Sequence, residues 1–433
     1  MSSQSMHIDV HHVTRVEGHG NIAVDIQNGT IKKLEWQVPE APRFFEAMVV
    51  GRHYSEVATI TSRICGICSI GHTFASLKAT EAALGVTISE QSRRLREILE
   101  HGEHLQSHIL HICYLVLPDL LRVNSVLPLI ATHKEAVLLV TRLHRLANEM
   151  CDLVGGRTTH PIRTTVGGWT MVPKPAELDG LRIRLNNSRE DLAKLAGLVK
   201  SLAGGLPNFV RETEYVCLTD PREYACYDGL IKSSDVAQPI PVADYRKVAN
   251  EFVVPTSTAK WAKFNRGSYF AGALARFNNN FNLLTPAAKA TAAAFGFAAP
   301  CYNPYMNTIA QLVECVHSTD RCIDHIAWLL DKGLKEERIA VSVREGRGAG
   351  AVDVPRGILF HDYTYDKDGV CQKANCIIPT NQNHANIQKD MEKLVPEFKD
   401  QGKEKLQFML EMLVRAYDPC ISCSTHFLDV KFV

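Results

Sequence analysis

Residues 63–72 read RICGICSIGH, two cysteines three apart beside an arginine, two glycines and a histidine. A second Cys-x-x-Cys stands near the other end, in DPCISCSTH at 418–426. Thiolate is a soft ligand, suited to zinc, iron–sulfur clusters, Cu(I) or nickel. One such turn presents two sulfurs to a single ion, and two turns can complete a four-sulfur set. Pairs in structural zinc sites usually lie within a few tens of residues, whereas these are separated by most of the chain. A redox-active dithiol needs a βαβ context, and the flanks here have helical patterns. The spacing favours one buried metal site over unrelated thiols. It does not identify the metal.

The rest of the composition narrows the class. With 433 residues, 45% of them hydrophobic, the chain can bury a large core without disulfides. Its thirteen cysteines are an odd number scattered over a long sequence, unlike a secreted disulfide scaffold. A reducing compartment fits better, and the expectation is a cytoplasmic protein. Net charge is +1 with no basic run, so nucleic acid is not an expected partner. No apolar stretch approaches the ~18 residues of a membrane span, so no direct span is expected.

Patterning gives the architecture. HIDVHHV and NIAVDIQNGTIKKLEWQV alternate around Asn28-Gly29, a strong hairpin signal. From Ala41 the period turns helical. ISEQSRRLREILEHGEHLQSHILHICYLVL reads as a helix that stops at Pro118, and KEAVLLVTRLHRLANEMCDLVGG as a second ending on a glycine pair. Further helical segments follow in 176–205, 306–333 and 384–419, while 205–280 carry mixed short signals. The fold class expected is mainly α (α+β). One domain would span 1–433, with a small β element at about 7–38 and metal-binding segments at 63–72 and 418–426.

The two cysteine segments closely resemble the paired signature motifs of the [NiFe]-hydrogenase large subunit. RVEGHG (15–20), GGRTTHP (155–161), Gly167-Gly168, GSYFAGALARFNNN (267–280), VPRG (354–357) and IIPTNQN (377–383) resemble that family's blocks, in its order. The resemblance implies a helical-bundle catalytic subunit that splits H2 reversibly into protons and electrons. It implies a buried nickel–iron centre carrying one CO and two CN ligands. The implied partners are an iron–sulfur small subunit, with further electron-transfer subunits beyond it.

Carried over residue by residue, the resemblance makes Cys65 and Cys420 terminal nickel ligands, and Cys68 and Cys423 ligands shared with iron. Cys420 would also take the proton from H2, and Glu17 would be the first carboxylate of the exit path; read alone, Glu17 is a strand-end acid paired with Arg15. Arg356 would overhang the centre and donate to a cyanide, on a turn preset by Pro355. Thr380 would donate to the second cyanide. Asp119 matches the acid that pairs with such arginines, or is a plain helix-breaking Pro-Asp. His72 would hydrogen-bond near Cys68. A secondary Mg2+ (or Fe) site would use Glu46, a carbonyl near Cys376, and His426, a hard-ligand set.

Three features stay outside that scheme. His101, His104, His108 and His111 share one helix face, as a metal site, a stripe against the cofactor region, or a subunit interface. The other nine cysteines read as small core residues. REGRGAGA (344–351) reads as a flexible loop leading into VPRG. The periplasmic branch has a tryptophan in the block read here as IIPTNQN, and its absence resembles cytosolic branches with soluble acceptors. A hydrogen sensor with slow turnover is the alternative function. FLDVKFV after His426 is either a short precursor tail or a retained one.

Overall fold

Asn28 and Gly29 take left-handed φ values of 48° and 77°, the geometry a two-residue hairpin turn requires. They join Asn21–Gln27 to Thr30–Gln37, and Met6–Val10 completes a three-stranded antiparallel sheet. This is the β element the alternation predicts. The computed structural model describes residues 5–337 and 340–425. His426 and the segment after it lie outside the described residues.

Behind the sheet the chain is helical. Glu90–Leu110, Lys134–Gly155, Pro175–Leu202 and Asn307–Lys332 pack along one another. Ser89 caps the first of these, its hydroxyl accepting from the Ser92 amide at 3.0 Å. Gly156, at φ 81°, ends the second in the left-handed region that glycine tolerates. The helix expected to stop at Pro118 instead widens into a π-helical stretch, His111–Val116, and continues as Leu117–Leu120. Pro118 is the second residue of that last piece.

The clearest departure concerns REGRGAGA. Gly346–Val354 is a strand, not a flexible loop, and pairs antiparallel with Gly357–Tyr365, which pairs with Cys371–Ile377. Glycines at alternate positions share one face of a strand. A β-carbon on Gly346, Gly348 or Gly350 would lie 2.4, 2.2 or 2.5 Å from the carbonyl oxygens of Ala83, Ala79 and Ala75. Those alanines belong to the Ser69–Leu84 helix, which begins at the first cysteine pair. Glycine facing alanine presses backbone onto backbone, fixing that helix against the hairpin.

The two-residue tip of the hairpin is Pro355-Arg356, since Val354 pairs with Gly357. The segment 205–280 resolves into short strands, among them Glu214–Thr219 and Leu230–Ser233. Two helices, Pro379–Phe398 and Lys403–Ala416, lead to the second cysteine pair. One continuous hydrophobic cluster includes Ile8, Leu99, Leu312, Leu413 and all four motif cysteines. Of the other nine cysteines, eight are buried and Cys301 half-buried, as small core residues would be. Among the described residues no helix is long and apolar enough to cross a membrane.

Candidate metal centre

Three devices bring the ends of the chain together. The Arg43 guanidinium donates to the Ile64 carbonyl at 2.6 Å and the Ser422 carbonyl at 2.7 Å, clamping the two cysteine loops to each other. The Ile421 amide donates to the Glu17 carbonyl at 2.9 Å. Gly18, at φ 82°, lets RVEGHG approach so closely that a β-carbon there would sit 2.6 Å from the Ser422 nitrogen.

The sulfurs converge within that frame. Cys65 Sγ is 3.5 Å from Cys420 Sγ, and the ligand atoms of Cys65, Cys420 and Cys423 all lie within 4.8 Å of one another. Cys420 and Cys423 set their sulfurs side by side, and as thiolates they offer two ligands to one site. The four side chains are at most 4% exposed. Cys65 Sγ accepts from the amides of Ile67 at 3.3 Å and Cys68 at 3.1 Å. Its thiol is pulled down to about 7, chiefly by the hydrogen bond with Cys68, against burial and with help from the Arg356 charge. The Cys68 thiol is pushed well up by the same bond and by burial. Four soft, buried sulfurs suit nickel, iron or zinc and not a hard cation.

Arg356 reaches over this set from the hairpin tip. Its Nη1 donates to Cys68 Sγ at 3.1 Å, Nη2 to Asp418 Oδ1 at 2.8 Å, and Nε to the Asp418 carbonyl at 2.7 Å. Pro355 precedes it in the turn. Thr380, in the first turn of its helix, accepts from the Cys420 amide at 2.9 Å. The Glu17 carboxylate does not pair with Arg15. It accepts from Cys420 Sγ at 3.2 Å and the Ser422 amide at 3.1 Å, and also from the Ser422 hydroxyl.

Other expected residues stand further out. Asp119 does not meet Arg356: Arg415 holds it bidentately at 2.7 and 3.0 Å and Arg15 binds its Oδ1. The acid beside Arg356 is Asp418, to which the sequence reading assigns no role. Its φ of 50° is left-handed, and both its carbonyl and its carboxylate meet the guanidinium. His72 joins His361 at 3.1 Å, and His361 joins the Tyr363 hydroxyl at 2.5 Å. Glu46 is buried and accepts from the Cys376 amide at 2.7 Å, so two of the three expected secondary-site residues are adjacent.

The histidine stripe is buried against the Asn307–Lys332 helix and the hairpin. His101 meets Ser318 at 3.2 Å, His104 donates to the Asp353 carbonyl at 2.9 Å, and His108 meets Glu314 at 2.8 Å. His111 donates to the Arg415 carbonyl at 2.7 Å. His104, His108 and Glu314 are close enough together for an ion, but Arg276 already holds both Glu314 oxygens at 2.7 Å each. That carboxylate is spent on a guanidinium. Burial pushes the His108 imidazole down to about 4, against the pull of Glu314.

Residues 43–143 and 286–426 match the family model for nickel-dependent hydrogenases. The sulfhydrogenase 1 alpha subunit of Pyrococcus furiosus is 33% identical over 430 residues, covering 98% of this chain and 99% of that protein. An F420-non-reducing hydrogenase polypeptide of Methanothermobacter thermautotrophicus is 30% identical over 456 residues, covering 96% of this chain and 94% of that one. A solved NAD+-reducing [NiFe]-hydrogenase in the H2-reduced state superposes with a TM-score of 0.88 at 26% identity, covering 98% of this chain and all of that one. The Ni-Fe-Se hydrogenase of D. vulgaris Hildenborough shares the fold, with a TM-score of 0.72 at 20% identity over 98% of this chain and all of that one.

Proposed function

The chain belongs to the nickel-dependent hydrogenase family as a large subunit, and from that premise we propose that Cys65, Cys68, Cys420 and Cys423 together hold its nickel–iron centre. The observation that carries this is the convergence of sulfurs from opposite ends of the chain, with Cys65, Cys420 and Cys423 inside 4.8 Å and Cys68 under the Arg356 fork. Cys65 and Cys420 would hold nickel, and Cys68 and Cys423 would hold nickel together with an iron whose CO and two CN ligands no side chain supplies. Such a centre, when bound, supplies the electron-rich metals and ligand field needed to polarise and split H2.

The chain's own residues supply the remainder. Cys420 Sγ accepts the proton of heterolysis and Glu17 receives it next, a reading supported by their 3.2 Å contact. Arg356 offsets the negative charge gathered by four thiolates, and its fixed fork would donate to a ligand of the bound centre. Asp418 holds that fork in place through two contacts. Thr380 pins the Cys420 amide and presents a hydroxyl beside the centre. Glu46, the Cys376 carbonyl and His426 would hold a secondary Mg2+ (or Fe), a reading supported by the Glu46 to Cys376 contact.

Electrons leave through an iron–sulfur small subunit. The named relatives are single subunits of hydrogenases called sulfhydrogenase and F420-non-reducing, which supports partner subunits that set the final acceptor. Infrared spectroscopy with nickel analysis tests the whole reading. Purified enzyme should show one CO and two CN bands at about one nickel per chain and should oxidise H2. Loaded nickel without diatomic bands, or H2 oxidation by nickel-free protein, would overturn it.

A further inference from the structure

We propose that Arg276 is a positioning residue for Arg356, and that Glu314 and Asp353 act through it. The inference rests on the reading of Arg356 given above and concerns what aims that side chain. A guanidinium has five N–H donors, and all five of Arg276 are used. Nε and Nη2 go to the two oxygens of Glu314 at 2.7 Å each. Nη1 goes to Asp353 Oδ1 at 2.5 Å and to the Val354 carbonyl at 2.8 Å. The last donor, on Nη2, meets the Pro355 carbonyl at 3.1 Å. The two carbonyls so gripped are the two immediately preceding Arg356.

The clamp itself is anchored from several directions. Arg276 stands on the Ala273–Asn280 helix and Glu314 on the Asn307–Lys332 helix, and neither is more than 2% exposed. Tyr224 donates to Glu314 at 2.6 Å, and the Leu218 amide to Asp353 at 2.7 Å. On the far side of the turn, Gly357 at φ 129° lies so close to Ala271 that a β-carbon would sit 2.8 Å from its carbonyl carbon. The hairpin tip is held between a guanidinium and a backbone. The number and placement of these contacts exceed what a two-residue turn needs in order to close. They fit a demand that the Arg356 fork meet Asp418 and Cys68 together, where a displacement near 1 Å can cost about a hundredfold in rate.

The test uses the assembled, metal-loaded enzyme carrying Arg276→Lys, since an ammonium has three donors and no fork. Expected are full nickel and iron content, shifted or broadened CN bands, and a crystal structure in which the Arg356 guanidinium has left Cys68. The kcat for H2 oxidation should fall ten- to a hundredfold with KM for H2 unchanged. Should Arg276→Lys fail to assemble, Glu314→Gln, which keeps the side-chain shape and one acceptor oxygen, is read the same way. Loaded variant with unmoved bands, an unmoved Arg356 and an unchanged kcat overturns the proposal. If Arg356→Lys is impaired while the Arg276 variant is not, only this inference falls. If both variants match the wild type, the reading of Arg356 itself falls.

Discussion

Arg356→Lys separates a stabilising role from a catalytic one, because the wild-type side chain makes three contacts with different duties. Nε and Nη2 bind the Asp418 carbonyl and carboxylate at 2.7 and 2.8 Å, and Nη1 binds Cys68 Sγ at 3.1 Å. A hydrogen bond to a charged group contributes about 1.5–3 kcal/mol. Lysine keeps the charge but concentrates its donors at one point, so it can stay with Asp418 only by abandoning Cys68. The contact with Asp418 then persists in part, and the charge pair remains whole. The lost Cys68 contact is worth the same ~1.5–3 kcal/mol. If it operates in the transition state, that energy is a drop in kcat of about 13- to 160-fold, since ~1.36 kcal/mol is tenfold. The assay is H2 oxidation with a viologen acceptor, normalised to nickel measured on the same sample. A fully nickel-loaded variant within twofold of the wild-type rate would refute the argument and reduce Arg356 to a scaffold residue.

Cys420→Ser should abolish both nickel retention and turnover, because a hydroxyl is a poor soft ligand; metal analysis after gel filtration reads this directly, and bound nickel would count against the four-sulfur set. Glu17→Gln, which keeps the shape and one acceptor oxygen, should leave nickel content and CN bands intact while suppressing H2/D+ exchange with solvent; unchanged exchange would send the proton along another path. Gly348→Val should destabilise the chain by about 1–3 kcal/mol or more through overpacking against the Ser69–Leu84 helix, since even its β-carbon would fall 2.2 Å from Ala79 oxygen. A lower urea midpoint for that variant is the expected reading, and an unmoved midpoint would mean that the strand and helix can part freely.

How much of this was legible in the sequence differs from residue to residue, for physical reasons. The cysteine pairs were legible because thiol chemistry is rare and its spacing local; their convergence was not, since spacing says nothing about contacts across the whole chain. Asn28-Gly29 announced its turn because few residues tolerate two consecutive left-handed positions. Gly346, Gly348 and Gly350 were misread because glycine is depleted in strands. Their period of two was visible, but it acquires meaning only when Ala75, Ala79 and Ala83 of another segment lie opposite. Asp418 was in plain view within DPCISC, yet its partner is 62 positions away. Asp119 went astray for the converse reason: an acid after a proline invites a local reading, and its partners Arg15 and Arg415 come from both ends of the chain.

The electrostatics of the pocket explain why so much scaffolding surrounds four small side chains. Arg356 faces the sulfurs, and its charge is paired with Asp418. Several uncompensated thiolates in a dry interior would each cost several kcal/mol. The thiols respond by sharing: Cys65 is pulled down to about 7 by its hydrogen bond with Cys68, while that bond pushes Cys68 well up. Metal binding at Cys65 and Cys68 would displace the proton they share. A pocket that alternates between protons and cations without collapsing must take its shape from something other than its own ligands. Here that is the Arg43 clamp on the two loops, the glycine–alanine face beneath the first cysteine pair, and the Arg276 grip on the hairpin tip. None of the three uses a sulfur, so each holds whether the site carries protons or metal.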